Sequence, residues 1–231
     1  MTDKIRVSIL DDHQSIVDGY RFRLGNSTRV NIVSAMSYGE ELQPTLVKIP
    51  TDVLILDISV PASESNPNPY PILYEIPSLL QQFPNLVILV ISMHMERGMI
   101  RAVMEAGASG YILKDDQPTL RDLENVVISV FNGGIHLSRQ ANDALLRGTT
   151  GDESLLSKRQ REALSLCLSY PDSSTADLAK KMSISNSTVR NLLSGSYIKL
   201  GVRSRNAAVT KARQLGLISP EPVTTPISRK D

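Results

Sequence analysis

Five side chains in the first half of the chain could act together. Asp11 and Asp12 directly follow the apolar run Ile5–Leu10, Asp57 follows Val53–Leu56, Ser92 follows Val87–Ile91, and Lys114 follows Tyr111–Leu113. If those runs are parallel strands of one open sheet, their C-terminal ends face a single crevice and the five groups converge there. Three carboxylates in one place repel one another. A hard divalent cation such as Mg²⁺, held by carboxylates, water and often a phosphate, makes such a cluster tolerable. Phosphoryl transfer needs an in-line nucleophile and positive charge on the equatorial oxygens. A carboxylate of the cluster could offer the first, and Lys114 with Mg²⁺ the second. Taken singly, Asp11 and Asp12 would serve as helix caps, Lys114 as a neutralising partner and Tyr111 as core packing.

The elements that must position these groups are legible around them. Short β-branched runs at 5–10, 30–36, 53–56, 87–91 and 111–113 alternate with segments long enough for a crossover helix, which predicts a doubly wound parallel sheet covered on both faces. Helical periodicity marks 96–106, 120–131 and 138–146. The segment Ala62–Pro71, with Pro67, Pro69 and Pro71 after Pro61, cannot be a helix interior and reads as an extended surface loop. Residues 147–154 read as a flexible linker. Beyond it only helices are expected. Ser157 with Gln160, and Ser174 with Asp177, have capping-box spacing, Ser185 can cap a third helix, and a fourth spans about Asn206–Leu215 before Gly216. The tail from Ser219, with three prolines, is expected to be disordered.

Composition narrows the classes. The chain has 231 residues, 41% of them hydrophobic and 21% charged, with no Trp and one cysteine, as expected for two small soluble domains with aliphatic cores. Its longest apolar run, Leu86–Ile91, falls far short of the roughly 20 residues needed to cross a bilayer, and the charged N-terminus is no secretory signal. Cys167 has no partner and is expected in the core, which fits a reducing cytosol. Residues 1–150 hold 12 Lys+Arg against 17 Asp+Glu, whereas residues 151–231 hold 13 against 7. From Leu178 to Pro220 there are eight basic residues and no acidic one, which points to a polyanion, most often nucleic acid.

The stretches Leu10–His13, Leu56–Pro61, Val90–His94 and Ala106–Asp115 make residues 1–130 resemble the receiver domain of bacterial two-component response regulators. The stretches Leu156–Leu164, Asp177–Ala179, Ile184–Asn191 and Lys199–Arg205 make residues 155–218 resemble the helix-turn-helix domain of NarL/LuxR-type regulators. The resemblance implies a five-stranded flavodoxin-like sheet of order 2-1-3-4-5, like that of CheY, followed by a small all-α domain. It implies a cytoplasmic transcription regulator, not an enzyme beyond self-phosphorylation and autodephosphorylation, whose Asp57 accepts a phosphoryl group from a sensor histidine kinase. Asp11, Asp12, Asp57 and the backbone carbonyl of Ser59 would hold Mg²⁺, Lys114 would pair with the phosphoryl oxygens, and Ser92 and Tyr111 would switch. It also implies a homodimer on activation that binds double-stranded DNA at paired half-sites. On the helix from Asn186 to about Leu200, the residues Asn186, Arg190, Asn191 and Ser194 share one face suited to base edges, while Val189, Leu192, Leu193 and Leu200 pack inward. Ser187, Thr188, Lys199, Arg203 and Arg205 are placed for phosphates.

Four departures from the family pattern stand out: the long Pro- and Asn-rich segment after Pro61, a longer connection at 169–173, Leu192 where a His is common, and Gly195-Ser196, which is expected to interrupt the recognition helix. The first and last of these motivate a second reading, a regulator of the same family acting independently of phosphorylation or through a protein partner. A metal-dependent phosphatase using Asp57 is disfavoured, because Ser59 stands where a second catalytic Asp would be and the basic domain would have no task.

Overall fold

The protein is described by a computed structural model over residues 4–146 and 155–219; the linker expected at 147–154 and the tail from 220 lie outside the described residues. The first unit runs β1 (Ile5–Leu10), α1 (Gln14–Leu24), β2 (Val30–Met36), a 3₁₀ turn (Gly39–Glu41), α2 (Leu42–Lys48), β3 (Val53–Leu56), β4 (Pro61–Ser63), β5 (Asn66–Pro69), α3 (Ile72–Gln82), β6 (Val87–Ser92), α4 (Arg97–Glu105), β7 (Gly110–Leu113), α5 (Gln117–Arg121), α6 (Leu123–Phe131), β8 (His136–Leu137) and α7 (Arg139–Leu146). The main sheet has order β2-β1-β3-β6-β7-β8, every neighbouring pair being parallel. This is the expected doubly wound order with a sixth strand added at the edge.

Alternation along the central strands explains the two covered faces. Val53 and Ile55 on β3, with Leu89 and Ile91 on β6, pack with α1, α5 and α6, whereas Leu54, Leu56, Ile88 and Val90 pack with α2, α3 and α4. The sixth strand escaped the sequence because it is two residues long. Gly110 makes room for it: a Cβ there would lie 2.7 Å from the carbonyl oxygen of His136. The helical stretch expected from Leu120 begins earlier and breaks at Asp122, whose ψ of 19° is not helical. Asp116 starts it by accepting a hydrogen bond from the Thr119 amide.

The segment after Pro61 is not an open loop. β4 and β5 pair antiparallel as a hairpin, with Pro61 opposite Pro69 and Ser63 opposite Asn66. The extended φ that proline imposes suits a short two-stranded ribbon with no further neighbour to hydrogen-bond. Tyr70, which closes it by donating its amide to the Val60 carbonyl, packs its ring onto Gly39 so closely that a Cβ there would lie 2.0 Å from Tyr70 Cγ.

The second unit is α8 (Lys158–Ser169), α9 (Thr175–Lys181), α10 (Asn186–Leu200) and α11 (Arg205–Gln214) around Leu164, Leu178, Val189, Leu193, Leu200 and Ala208. Both expected capping boxes form, Ser157 with Gln160 and Ser174 with Asp177, and Ser185 accepts from the Thr188 amide. Ser183, at φ 53°, makes the left-handed turn between α9 and α10. Cys167 is buried in this core. Gly195-Ser196 does not interrupt α10, which runs unbroken to a left-handed cap at Gly201. Gly195 instead admits Gln160 of α8: a Cβ would lie 2.8 Å from Gln160 Nε2. Among the described residues, no helix is long and apolar enough to cross a membrane.

Candidate phosphoacceptor site and nucleic-acid interface

Backbone pairing sets the acidic cluster. The Asp57 amide donates to the Leu10 carbonyl and the Asp11 amide to the Met36 carbonyl, so these carboxylates emerge side by side at the C-terminal ends of β3 and β1. The Lys114 amide donates to the Ser92 carbonyl, which brings the end of β7 to the same rim. Lys114 Nζ then sits 2.7 Å from Asp11 Oδ2 and 2.8 Å from Asp57 Oδ2, with all three residues buried. Burial alone would lower the Lys114 pKa, but Asp57 and Asp11 together hold the ammonium above its ordinary value. Burial pushes the Asp11 carboxyl up, against the pull of Lys114.

Asp12 is partly exposed and within 2.9 Å of His13 Nδ1. One ligand atom from each of Asp11, Asp12, His13 and Asp57 lies within 4.8 Å of the others. Three carboxylates against one ammonium leave an uncompensated double negative charge, and the donors are mostly hard oxygens. Both features fit a divalent cation of the Mg²⁺ kind.

Ser59 donates its amide to Asp57 Oδ1 at 3.3 Å and lies 2.7 Å through Oγ from His94 Nε2. His94 is not among the expected site residues. It is buried, its backbone amide donates to Ser92 Oγ at 3.4 Å, and its carbonyl accepts the Tyr111 hydroxyl at 2.6 Å. One residue therefore ties the loop after Asp57 to both expected switch residues, and its place two positions after Ser92 is the only sequence signal for it. Burial lowers the His94 pKa and raises that of Tyr111. Tyr111 is turned fully inward.

Above this floor lies a cleft of about 550 Å³ whose walls include Pro61, Pro67 and Pro69 of the hairpin, and Leu168 and Arg213 of the helical unit. The hairpin also grips α8: Asn66 Nδ2 donates to the Ser169 carbonyl at 3.1 Å, and the Ser169 hydroxyl donates to the Pro69 carbonyl. The segment after Pro61 thus borders the cleft over Asp57 on one side and the helical unit on the other.

On α10, Arg190, Asn191, Ser194, Ser187 and Thr188 are exposed, and Val189, Leu193 and Leu200 are buried, as the periodicity requires. Leu192 is half-buried, and so is Asn186, whose Oδ1 is buried without a partner. Lys199 Nζ donates to Gln160 Oε1 at 3.1 Å, and Arg205 donates to the Ser173 carbonyl at 2.7 Å. Arg205 therefore fastens the long 169–173 connection. Arg203 is exposed.

Known proteins match both units. The family model of the response regulator receiver domain matches residues 7–124, and that of bacterial regulatory proteins of the luxR family matches residues 154–212. The transcriptional regulatory protein DegU of Brevibacillus brevis is 26% identical, over 94% of this chain and 96% of its own. The oxygen regulatory protein NreC of Staphylococcus aureus is 25% identical, over 93% and 99%. Among solved structures, RcsB from Salmonella enterica serovar Typhimurium, bound to promoter rprA in the presence of the phosphomimetic BeF₃⁻, matches with a TM-score of 0.63 at 25% identity, covering 90% of this chain and 98% of that one.

Proposed function

From the premise that this chain belongs to the DNA-binding response regulators of the luxR family, we propose that it is a transcription regulator switched by phosphorylation of Asp57. The observation that carries the proposal is the ammonium of Lys114 held between Asp57 and Asp11, with Asp12 beside them at the foot of an open cleft.

A carboxylate oxygen of Asp57 attacks the phosphorus of a sensor kinase's phosphohistidine in line, and the P–N bond breaks as the O–P bond forms. Lys114 is within reach of the new phosphoryl oxygens and neutralises part of their charge. Asp11, Asp12, Asp57 and the Ser59 carbonyl would hold Mg²⁺, which when bound offsets the charge of the transferring phosphoryl group. Ser92 leaves its bond with the His94 amide to donate to the phosphoryl oxygen. The loop carrying His94 moves with it and alters the seat of the Tyr111 hydroxyl. That change on the receiver surface favours a homodimer, which sets two helix-turn-helix units on paired half-sites. Arg190, Asn191, Asn186 and Ser194 read bases, and Ser187, Thr188, Lys199, Arg203 and Arg205 meet phosphates. The receiver spans 1–130, the connecting helix and linker 131–154, the DNA-binding domain 155–218 and the tail 219–231.

Incubation with acetyl phosphate and Mg²⁺, read by intact mass, tests the proposal. The wild type gains one phosphoryl group and Asp57→Ala gains none. The hairpin walling the acceptor cleft favours one rival, a regulator that works without phosphate, and absence of any gain in the wild type would turn the assignment to it.

A further inference from the structure

The two segments that lengthen this chain relative to its family pattern meet in space. From the hairpin, Asn66 Nδ2 donates to the Ser169 carbonyl at 3.1 Å, and the Pro69 carbonyl accepts the Ser169 hydroxyl. The longer connection starts at that same serine. Tyr170 beside it donates its hydroxyl to Glu40 of the 3₁₀ turn, and the Lys181 ammonium sits 3.7 Å from the centre of its ring.

The helical unit has a second seat on the start of α4. A Cβ on Gly216, just past α11, would lie 3.0 Å from Glu96 Cβ, and one on Gly98 would lie 3.5 Å from the Gly216 carbonyl oxygen. Between the two seats, Leu168 and Arg213 form part of the walls of the 550 Å³ cleft over Asp57. The helical unit thus spans the cleft from the hairpin to α4, and the Asp57 side chain keeps 4% exposure.

A phosphoryl donor must hold its leaving group opposite the attacking Asp57 oxygen, which directs that group into the cleft and toward this roof. A protein donor needs more room still. Specific complexes cover about 800 Å² on each partner, and the rim that such contact requires is occupied by Pro67, Asn68, Pro69, Leu168 and Arg213. Water, at about 30 Å³ a molecule, fits the cleft many times over.

We propose that the hairpin is a latch holding the helical unit over Asp57, so that lifting of that unit limits the rate at which a donor delivers its phosphoryl group. The inference rests on the assignment of Asp57 as phosphoacceptor. The reading face of α10 takes no part in these contacts, so the control falls on entry of the signal.

Rates of phosphoryl gain from acetyl phosphate and Mg²⁺, followed by intact mass on the full chain, test it. Asn66→Ala removes the latch donor on the receiver side, and Ser169→Ala removes the hydroxyl on the helical side. A hydrogen bond of ordinary net strength makes each variant gain the phosphoryl group about fivefold faster than wild type. Its loss after the donor is removed changes less than about twofold, because water already fits the cleft, whereas a distorted acceptor site would alter both rates. Either variant serves if the other does not fold. Equal or slower gain in the variants, or loss accelerated as much as gain, would overturn the latch alone. Absence of gain in all three chains would overturn the Asp57 assignment and the latch with it.

Discussion

Replacing Lys114 by Met in metal-free buffer probes the acceptor site through stability. The ammonium lies 2.7 and 2.8 Å from the oxygens of Asp11 and Asp57. At an effective dielectric of about 20, each contact is worth about 6 kcal/mol, so the gross attraction is about 12 kcal/mol. Withdrawing these ions from water costs several kcal/mol each, and removing one member of a buried ionic group typically destabilises by about 3–5 kcal/mol. That is the loss expected near neutral pH, because Met fills the space of the lysine stem and leaves two buried carboxylates facing each other.

The pH dependence has a definite sign. Burial already raises the Asp11 pKa, and without the ammonium its folded-state value rises further above the unfolded value of about 3.9. A carboxyl raised in the folded state contributes stability that is present below the unfolded pKa and lost as pH rises through the folded pKa. The deficit of Lys114→Met against wild type is therefore small near pH 4 and grows toward about pH 7. Urea unfolding followed by circular dichroism in EDTA measures it, and added Mg²⁺ should shrink it. A deficit under about 1 kcal/mol near pH 7, or one that grows as pH falls, would refute the electrostatic account.

Other expectations are as specific. Gly39→Ala forces its Cβ into the Tyr70 ring and should cost about 1–3 kcal/mol, much of it recovered in the double variant with Tyr70→Ala; additive losses in urea unfolding would contradict the close fit. Burial holds the His136 pKa below its ordinary value, against Asp116 and Asp122. The unfolded chain therefore takes up that proton first as pH falls below about 6.5, and stability is lost from there toward the folded pKa. His136→Gln should flatten the change in urea midpoint between about pH 7.5 and 5.5, and an unchanged slope would assign the effect elsewhere. Arg190→Ala should weaken specific DNA by about 1–3 kcal/mol while sparing random DNA in binding titrations; equal losses on both would remove its base-reading role.

Most of the site was legible because parallel strands bring sequence-distant residues to one edge. Five β-branched runs place Asp11, Asp57, Ser92 and Lys114 at strand ends without knowledge of any contact. Helix starts were equally readable at Ser157, Ser174 and Ser185, where capping is local chemistry. What escaped depends on partners far along the chain. Gly195 looked like a helix breaker because propensity cannot know that Gln160 needs its space. The hairpin was hidden by prolines that argue against helix but say nothing of what they pair with, and its grip on Ser169 spans about a hundred residues. His94 was hidden among candidates of equal rank until its ring met Ser59 and its carbonyl met Tyr111.

The side of the helical unit that faces the receiver has a consequence for how a signal would be read out. The cleft walls and the Asn66 contact draw on α8 and α11, while Arg190, Asn191 and Ser194 on α10 stay open to solvent with both units in place. A receiver placed this way does not cover the exposed face of α10. Under the proposed function, one unit's intrinsic grip on a half-site is then similar before and after phosphorylation, and what changes is how many copies arrive as pairs. Occupancy of a double site would scale with roughly the square of the phosphorylated fraction at low signal. Promoters with two well-spaced half-sites would respond as thresholds, and solitary half-sites would follow total protein rather than signal.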